Sequence, residues 1–449
     1  VTVLRTELKR SAAPWAGALV LTTSLAFLHL VDGEWWRGTT AWTAQWTPLA
    51  LWTRSLLYYL WPMAVGIGAL QGLRDHRSTM SELLTSTPRP AWHRAALQGG
   101  TTAATLAVGF TLLVLTGGVQ VLAHAPYQHL GWLPVSLVAV LALAAGAVLG
   151  MGIGRALPFP LTPPALAVGA FAFTTLLHMS LGRTRTTTPD GFPVSRPNRL
   201  SLLSPTTEDI RSAFATLSGA VDLGQTLWFL GLAATGFALL VAATPRTRLL
   251  ALIPALACTA LALPLLPTDP GRMYVVDRAA AAPVCDGPVC VTRTHRDRLT
   301  DLAGPGKEAL RRLHTALGDS APAAVRENTA LLPEGSPPRW SRDTVLIDFD
   351  TLPAGKGQAL TRALIGLGMV PGCTPVGWQG IGPEDTARTV AVAWVLGALE
   401  PTADPEARTA WRDLTSRPHP EQLARIDAMR TAAYTCRGEP FEALKGASR

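Results

Sequence analysis

Charge is scarce in this sequence. Lys, Arg, Asp and Glu make up 16% of 449 residues, hydrophobic residues 48%, and the mean hydropathy is +0.24. That balance is too apolar for an ordinary soluble enzyme of this length. Catalytic signatures are missing too. A phosphate cradle needs a glycine-rich loop ending in Lys-Ser/Thr, and "GPGKEA" and "PAGKGQ" lack both the upstream glycine and the hydroxyl. There is no HExxH of a zinc peptidase and no GxSxG elbow of a serine hydrolase. His295, His314 and His419 are scattered. The chain is therefore expected to be no enzyme and to hold no cofactor. It also lacks a basic stripe on a soluble domain, so nucleic acid is not an expected partner.

What is present is membrane-length apolar sequence. Seven runs approach the roughly 20 residues that cross a bilayer core: 14–31, 48–72, 95–123, 132–154, 164–181, 223–243 and 249–266. Only "TPRTR" separates the last two; they read as two spans, with one bent hairpin unit as the alternative. The leading "RTELKRS" is too polar for a cleaved signal peptide, so the first run is expected to remain. Residues 1–267 hold 17 of the 39 Lys and Arg and 9 of the 31 Asp and Glu, so the whole net charge of +8 lies there and 268–449 is balanced. The fold expected is an α-helical polytopic membrane protein of about seven transmembrane helices, followed by a mostly helical C-terminal domain with a minor strand element at "DTVLIDF".

Orientation follows from Lys and Arg in short loops, which resist translocation. With the N-terminus cytoplasmic, ten lie inside and six outside. "DGEWWRGTTAWTAQW" places Trp35, Trp36, Trp42 and Trp46 beside an apolar run, as an interfacial aromatic belt would. Seven spans then put 268–449 outside, in extracytoplasmic space where disulfides persist, and four of the five cysteines lie there. Cys285 and Cys290 enclose a Gly-Pro turn and read as a short-loop disulfide, with Cys373 and Cys436 as a long-range staple; other pairings stay open. Cys258 reads as a small buried hydrophobe. Arg54 and His178, the ionisable residues nearest a span interior, lie close to span ends and read as snorkelling side chains. With no ion path and no ATPase motif, the energy for any transport must come from a partner.

Between the second and third runs lies "GLRDHRSTMSELLTSTPRPAWHR", residues 72–94. Asp75 and Ser78 or Ser81 are competent N-caps for a short helix with Met80, Leu83 and Leu84 on one side, and Pro88 and Pro90 stop it. Such a helix can enter a groove of another protein, while its flanking Arg residues meet headgroups of the lipid bilayer. The alternative is an ordered loop with positive-inside charge.

A loop of the form Arg-x-x-Arg-x-x-x-x-Glu-Leu-Leu followed by prolines, in this position, resembles the coupling helix of type 2 ABC exporter permeases. The resemblance covers about residues 1–245 and implies a six-span permease core (1–245), here followed by a seventh span (246–267) and an extracytoplasmic domain (268–449). Tails of this kind are familiar in permease-like proteins of high-GC Gram-positive bacteria. It implies that Arg74, Arg77, Met80, Glu82, Leu83 and Leu84 contact a separate ABC ATPase subunit. It also implies that "LRTELKRS" is an amphipathic connecting helix, and that a second permease chain completes a homo- or heterodimer. "SPTTEDIRSAFATLSGAV", with capping residues Thr206 and Thr207, would be the family's re-entrant outer helix, or else a plain surface helix. The function implied is export of an amphipathic or hydrophobic substrate, a peptide, drug or lipid-like molecule. A membrane-anchored sensor whose outer domain binds a signal is the alternative.

Overall fold

The computed structural model describes residues 13–77, 90–187, 191, 193–207, 210, 212–353, 355–376 and 384–446. They form two compact units, one of Val1–Thr187 and Ser195–Val275, the other of Thr188–Val194 and Val276–Arg449.

The first unit is a helical bundle: α1 (Ala13–Leu30), α2 (Trp46–Ser55), α3 (Leu57–Gly72), α4 (Arg74–Arg77), α5 (Ala91–His124), α6 (Leu133–Ala156), α7 (Thr162–Met179), α8 (Gly219–Val241), α9 (Pro245–Leu250) and α10 (Ile253–Leu265). Among the described residues five helical stretches are long and apolar enough to cross a membrane: Ala13–Leu30, Trp92–His124, Leu133–Ala156, Gly219–Val241 and Pro245–Leu265. Two of the seven runs fall short. Pro62 has no N–H for the carbonyl of Tyr58 and its ring crowds that turn, so the second run divides just upstream into α2 and α3. Around the division Leu56 N reaches Trp52 O at 3.4 Å, and Tyr59 N turns to Leu56 O, three residues back. The fifth run forms α7, 18 residues begun by Thr162, Pro163 and Pro164 and carrying Thr174, Thr175 and His178.

At the centre lies α6, against α3 and α8. Its Ala139, Ala142, Leu143, Ala147 and Met151 have no exposed surface. Gly68 and Gly72 of α3 face Gly150 and Gly154 of α6, each pair four residues apart. A Cβ on Gly68 would lie 2.0 Å from Ala147 O, and one on Gly150 2.0 Å from Val65 O. Small residues at that spacing let helix backbones touch, the main source of helix association where no water is available to expel. The same contact continues to α8, where a Cβ on Gly152 would meet Gly236 O at 2.3 Å.

The aromatic belt is only partly a surface feature. Trp42 is fully buried and Trp46 nearly so; Trp46 stacks on Trp132 at 4.9 Å and Trp42 packs edge-on to Trp36. These rings fill the space above Gly117 and Gly118 of α5, so their burial belongs to packing. Between α7 and α8 run β1 (Arg183–Thr187), paired with β2 (Pro193–Pro197), and β3 (Ala215–Leu217), which pairs with β4 (Tyr274–Val276) from beyond α10. The expected outer helix is absent from the described part of 204–218: Ala215–Leu217 is a strand, and the hydroxyls of Thr206 and Thr207 go to Ser55 O and Leu51 O instead of capping a helix.

The second unit is built on a four-stranded sheet, β5 (Pro283–Asp286), β6 (Val289–Thr292), β7 (Ala324–Glu327) and β8 (Thr344–Ile347), in that spatial order. The pair β5–β6 is an antiparallel hairpin turned by Gly287 at φ 62°, and β6–β7–β8 are parallel. Helices α11 (Leu299–Leu317), α12 (Gln358–Met369), α13 (Glu384–Leu396), α14 (Pro405–Thr415), α15 (His419–Thr435) and α16 (Pro440–Lys445) complete it. Val289, Val291, Val325, Val345 and Ile347 of the sheet share one core with Leu313, Leu364, Met369, Val390 and Met429 of the helices. The strand content exceeds the single strand expected: β8 lies in "DTVLIDF", while β5, β6 and β7 are four residues each and sit in stretches without a clear alternation.

Candidate functional site

Of the residues implied to contact an ATPase, Arg74 and Arg77 lie on α4, where Arg74 is exposed. Met80, Glu82, Leu83 and Leu84 lie outside the described residues, as does the leading "LRTELKRS". What is described is how the loop is rooted. Its first root is the end of α3 and its second the start of α5. Thr102 donates its hydroxyl to Gln71 Oε1 at 2.7 Å, and Gln98 Nε2 donates to Gln71 O at 3.1 Å. Gln71 is nearly buried and Thr102 fully so. Buried side-chain amides and hydroxyls hold helices together where water is excluded, so the two roots are tied to each other as well as to α6.

At the other end of α3 lies a second polar network. Arg54 is not a snorkelling residue: its side chain has 0% exposure. Its Nε donates to Pro205 O at 3.2 Å, its Nη2 donates to Gln225 Oε1, and its Nη1 stands 3.8 Å from Asp222 Oδ1. A buried guanidinium is stable only when paired and hydrogen-bonded, and the partners come from α8 and from residues before it. Neither Asp222 nor Gln225 is evident from sequence reasoning. The usable signal is that an arginine inside an apolar run requires a carboxylate somewhere, and Asp222 is the acidic residue that opens the sixth. His178 is half-buried, its ring edge-on to Tyr58 at 5.9 Å.

In the second unit Cys285 is joined to Cys290 (S–S 2.10 Å) and Cys373 to Cys436 (2.13 Å), and Cys258 in the first unit is a free thiol. Beyond the carboxyl ends of the parallel strands, the edge where open α/β sheets place ligands, Glu327 Oε1 meets His295 Nδ1 at 2.5 Å while its Oε2 accepts the Thr292 N–H at 2.8 Å. The carboxylate holds the imidazole with its proton on Nδ1. Among the described residues no group of three or more His, Cys, Asp or Glu could hold a metal ion.

Asp348, just after β8, remains open to solvent on one side. Surrounding protein still pushes its carboxyl above the usual range. The Asp350 N–H opposes that push, the Asp350 and Glu327 charges add to it, and His295 opposes it. A carboxyl raised in the folded state contributes stability below its unfolded pKa and loses it as pH rises through the folded one. Asp348→Asn is therefore expected to raise the melting temperature of the second unit at about pH 7 and to leave it unchanged near about pH 3. Thermal melts of the full chain at the two pH values check this, and a lower midpoint at neutral pH would contradict it.

No family model, curated protein or solved structure matches the chain.

Proposed function

We propose that this chain is the membrane-spanning permease subunit of an ABC exporter. It moves an amphipathic or hydrophobic substrate outward with ATP hydrolysed by a separate subunit and pairs with a second permease chain. The observation that carries this reading is the rooting of the charged loop. Its two roots, α3 and α5, are tied through Gln71, Gln98 and Thr102, and α3 rests backbone to backbone on α6, which rests likewise on α8. A displacement applied to the loop is thereby carried into three spans as a body, the behaviour a coupling element requires. In this reading the bent second run and α7 are also spans, giving seven, and with the N-terminus inside 268–449 is extracytoplasmic; its two disulfides are compatible with that compartment.

Arg74, Arg77, Met80, Glu82, Leu83 and Leu84 form the contact with the ATPase in this reading. The test is a pull-down of the detergent-solubilised chain, wild type against Glu82→Arg with Leu83→Ala. A Walker-type ATPase should accompany wild type and be lost from the variant. Retention by the variant, or absence from both, removes the coupling role and leaves a membrane-anchored sensor as the reading to pursue.

A further inference from the structure

Six consecutive residues before α8 are each fastened to α2 or α8. Gln225 Nε2 donates to Leu202 O at 2.8 Å and to Ser204 O at 3.3 Å, and Trp228 Nε1 donates to Leu203 O at 3.0 Å. Arg54 Nε donates to Pro205 O, Thr206 Oγ1 to Ser55 O at 3.0 Å, and Thr207 Oγ1 to Leu51 O at 3.0 Å. Apart from half-buried Leu203 and Thr206, the residues are buried. Leu202 and Leu203 close a 3-10 helix (Arg199–Leu203) and the rest of the segment is irregular; polar groups of such connections normally face water, and here they are spent on two helices.

Arg54 organises the set. Its Nη2 occupies Gln225 Oε1, which fixes the amide with its NH₂ toward the two carbonyls it serves. The same guanidinium reaches Pro205 O, so one fully buried cation sets both halves of the segment. The ion pair on the other side is long: Arg54 Nη1 and Asp222 Oδ1 face each other across 3.8 Å, beyond hydrogen-bond reach. A pair held by charge alone is less directional than the bonds to Pro205 and Gln225, and it suits an element that must release.

We propose that residues 202–207 form a strap, keyed by Arg54, that closes the end of the bundle opposite the charged loop and lifts when the bundle opens there. Arg54 lies 18 residues before Gly72 along α2 and α3, about 27 Å at helical rise, so loop and strap stand at the two ends of one bent rod. The proposal rests on the exporter reading for what drives the opening, though not for the strap itself. Arg54 is a positioning residue: it acts through Gln225 and Pro205.

Hydrogen exchange of the full chain in detergent, followed by peptide mass spectrometry, tests it. Arg54→Gln should raise exchange across 202–207 by about tenfold or more, the factor for losing one charge-assisted hydrogen bond, with α5 and α6 unchanged. Arg54→Lys, which keeps the charge but not the fork, should give most of that rise, and Thr207→Val a smaller one. Unchanged exchange in 202–207, or a rise spread over the whole first unit, overturns the strap. With an ATPase partner trapped by ATP and vanadate, exchange in 202–207 of the wild-type chain should rise. If it stays protected there while Arg54→Gln frees it, the segment is a static brace and its role as a gate falls. Failure of any ATPase to co-purify would instead sink the exporter reading and leave the Arg54 result standing.

Discussion

Replacing Cys373 and Cys436 together by serine is expected to lower the melting temperature of the second unit by roughly 8–16 °C. The staple spans 63 residues, from the segment between α12 and α13 to the end of α15. Closing a loop of that length removes about 4 kcal/mol of chain entropy from the unfolded state, and each kcal/mol moves the midpoint of a unit this size by about 2–4 °C. The surroundings are arranged around the bridge. Cys373 N donates to Glu384 Oε1 at 3.0 Å, and Cys436 ends α15 in the left-handed region at φ 50°. The bridge between Cys285 and Cys290 offers a contrast. Its sequence separation is five, and the two residues are already paired across the β5–β6 hairpin, so its removal should cost about 2 kcal/mol or less. Melts of the full chain followed by circular dichroism compare the two double variants. Equal shifts would mean that loop length does not set the contribution of either bridge.

The elements that were legible in the sequence are those whose signal is local. The run 95–123 became Ala91–His124, and 132–154 became Leu133–Ala156, because apolar length alone defines such helices. Cysteine spacing around a Gly-Pro turn pointed to one bridge and left the other two cysteines as its complement. Where a partner lies far along the chain, local reading failed. Arg54 passes for a snorkelling residue until Gln225, 171 residues away, is beside it. Thr206 and Thr207 are good helix caps by type, yet their hydroxyls found carbonyls of α2 more than 150 residues earlier. Pro62 was visible throughout, and its cost to the second span follows from the missing N–H; an apolar count overlooks it. The loop contacts Met80, Glu82, Leu83 and Leu84 rest on sequence alone.

Gly150→Val is expected to disrupt the first unit severely. A Cβ at Gly150 would stand 2.0 Å from Val65 O and 3.1 Å from Ala69 N. Both are backbone atoms inside α3, so no side chain can turn aside and the helices must separate along their whole contact. A loss of about 4 kcal/mol or more, in the class of severe overpacking, should appear as a steep fall in monodisperse chain recovered from membranes after heating. Gly100→Ala is the control. Nothing stands within 4 Å of a Cβ there, so the change should leave stability equal or raise it by about 0.5–1 kcal/mol through helix propensity. Similar recovery for the two variants would show that α3 and α6 are not locked by backbone contact. That outcome would also remove the physical basis for coupling, since a push on the charged loop reaches α6 and α8 only if α3 cannot slide past Gly150 and Gly154. A milder Gly154→Ala, 2.5 Å from Ala69 O, separates the two roles. On the proposed exporter reading, a chain that still folds and still retains an ATPase should transmit less of the loop's movement through the displaced α3, and export should fall further than ATP hydrolysis does.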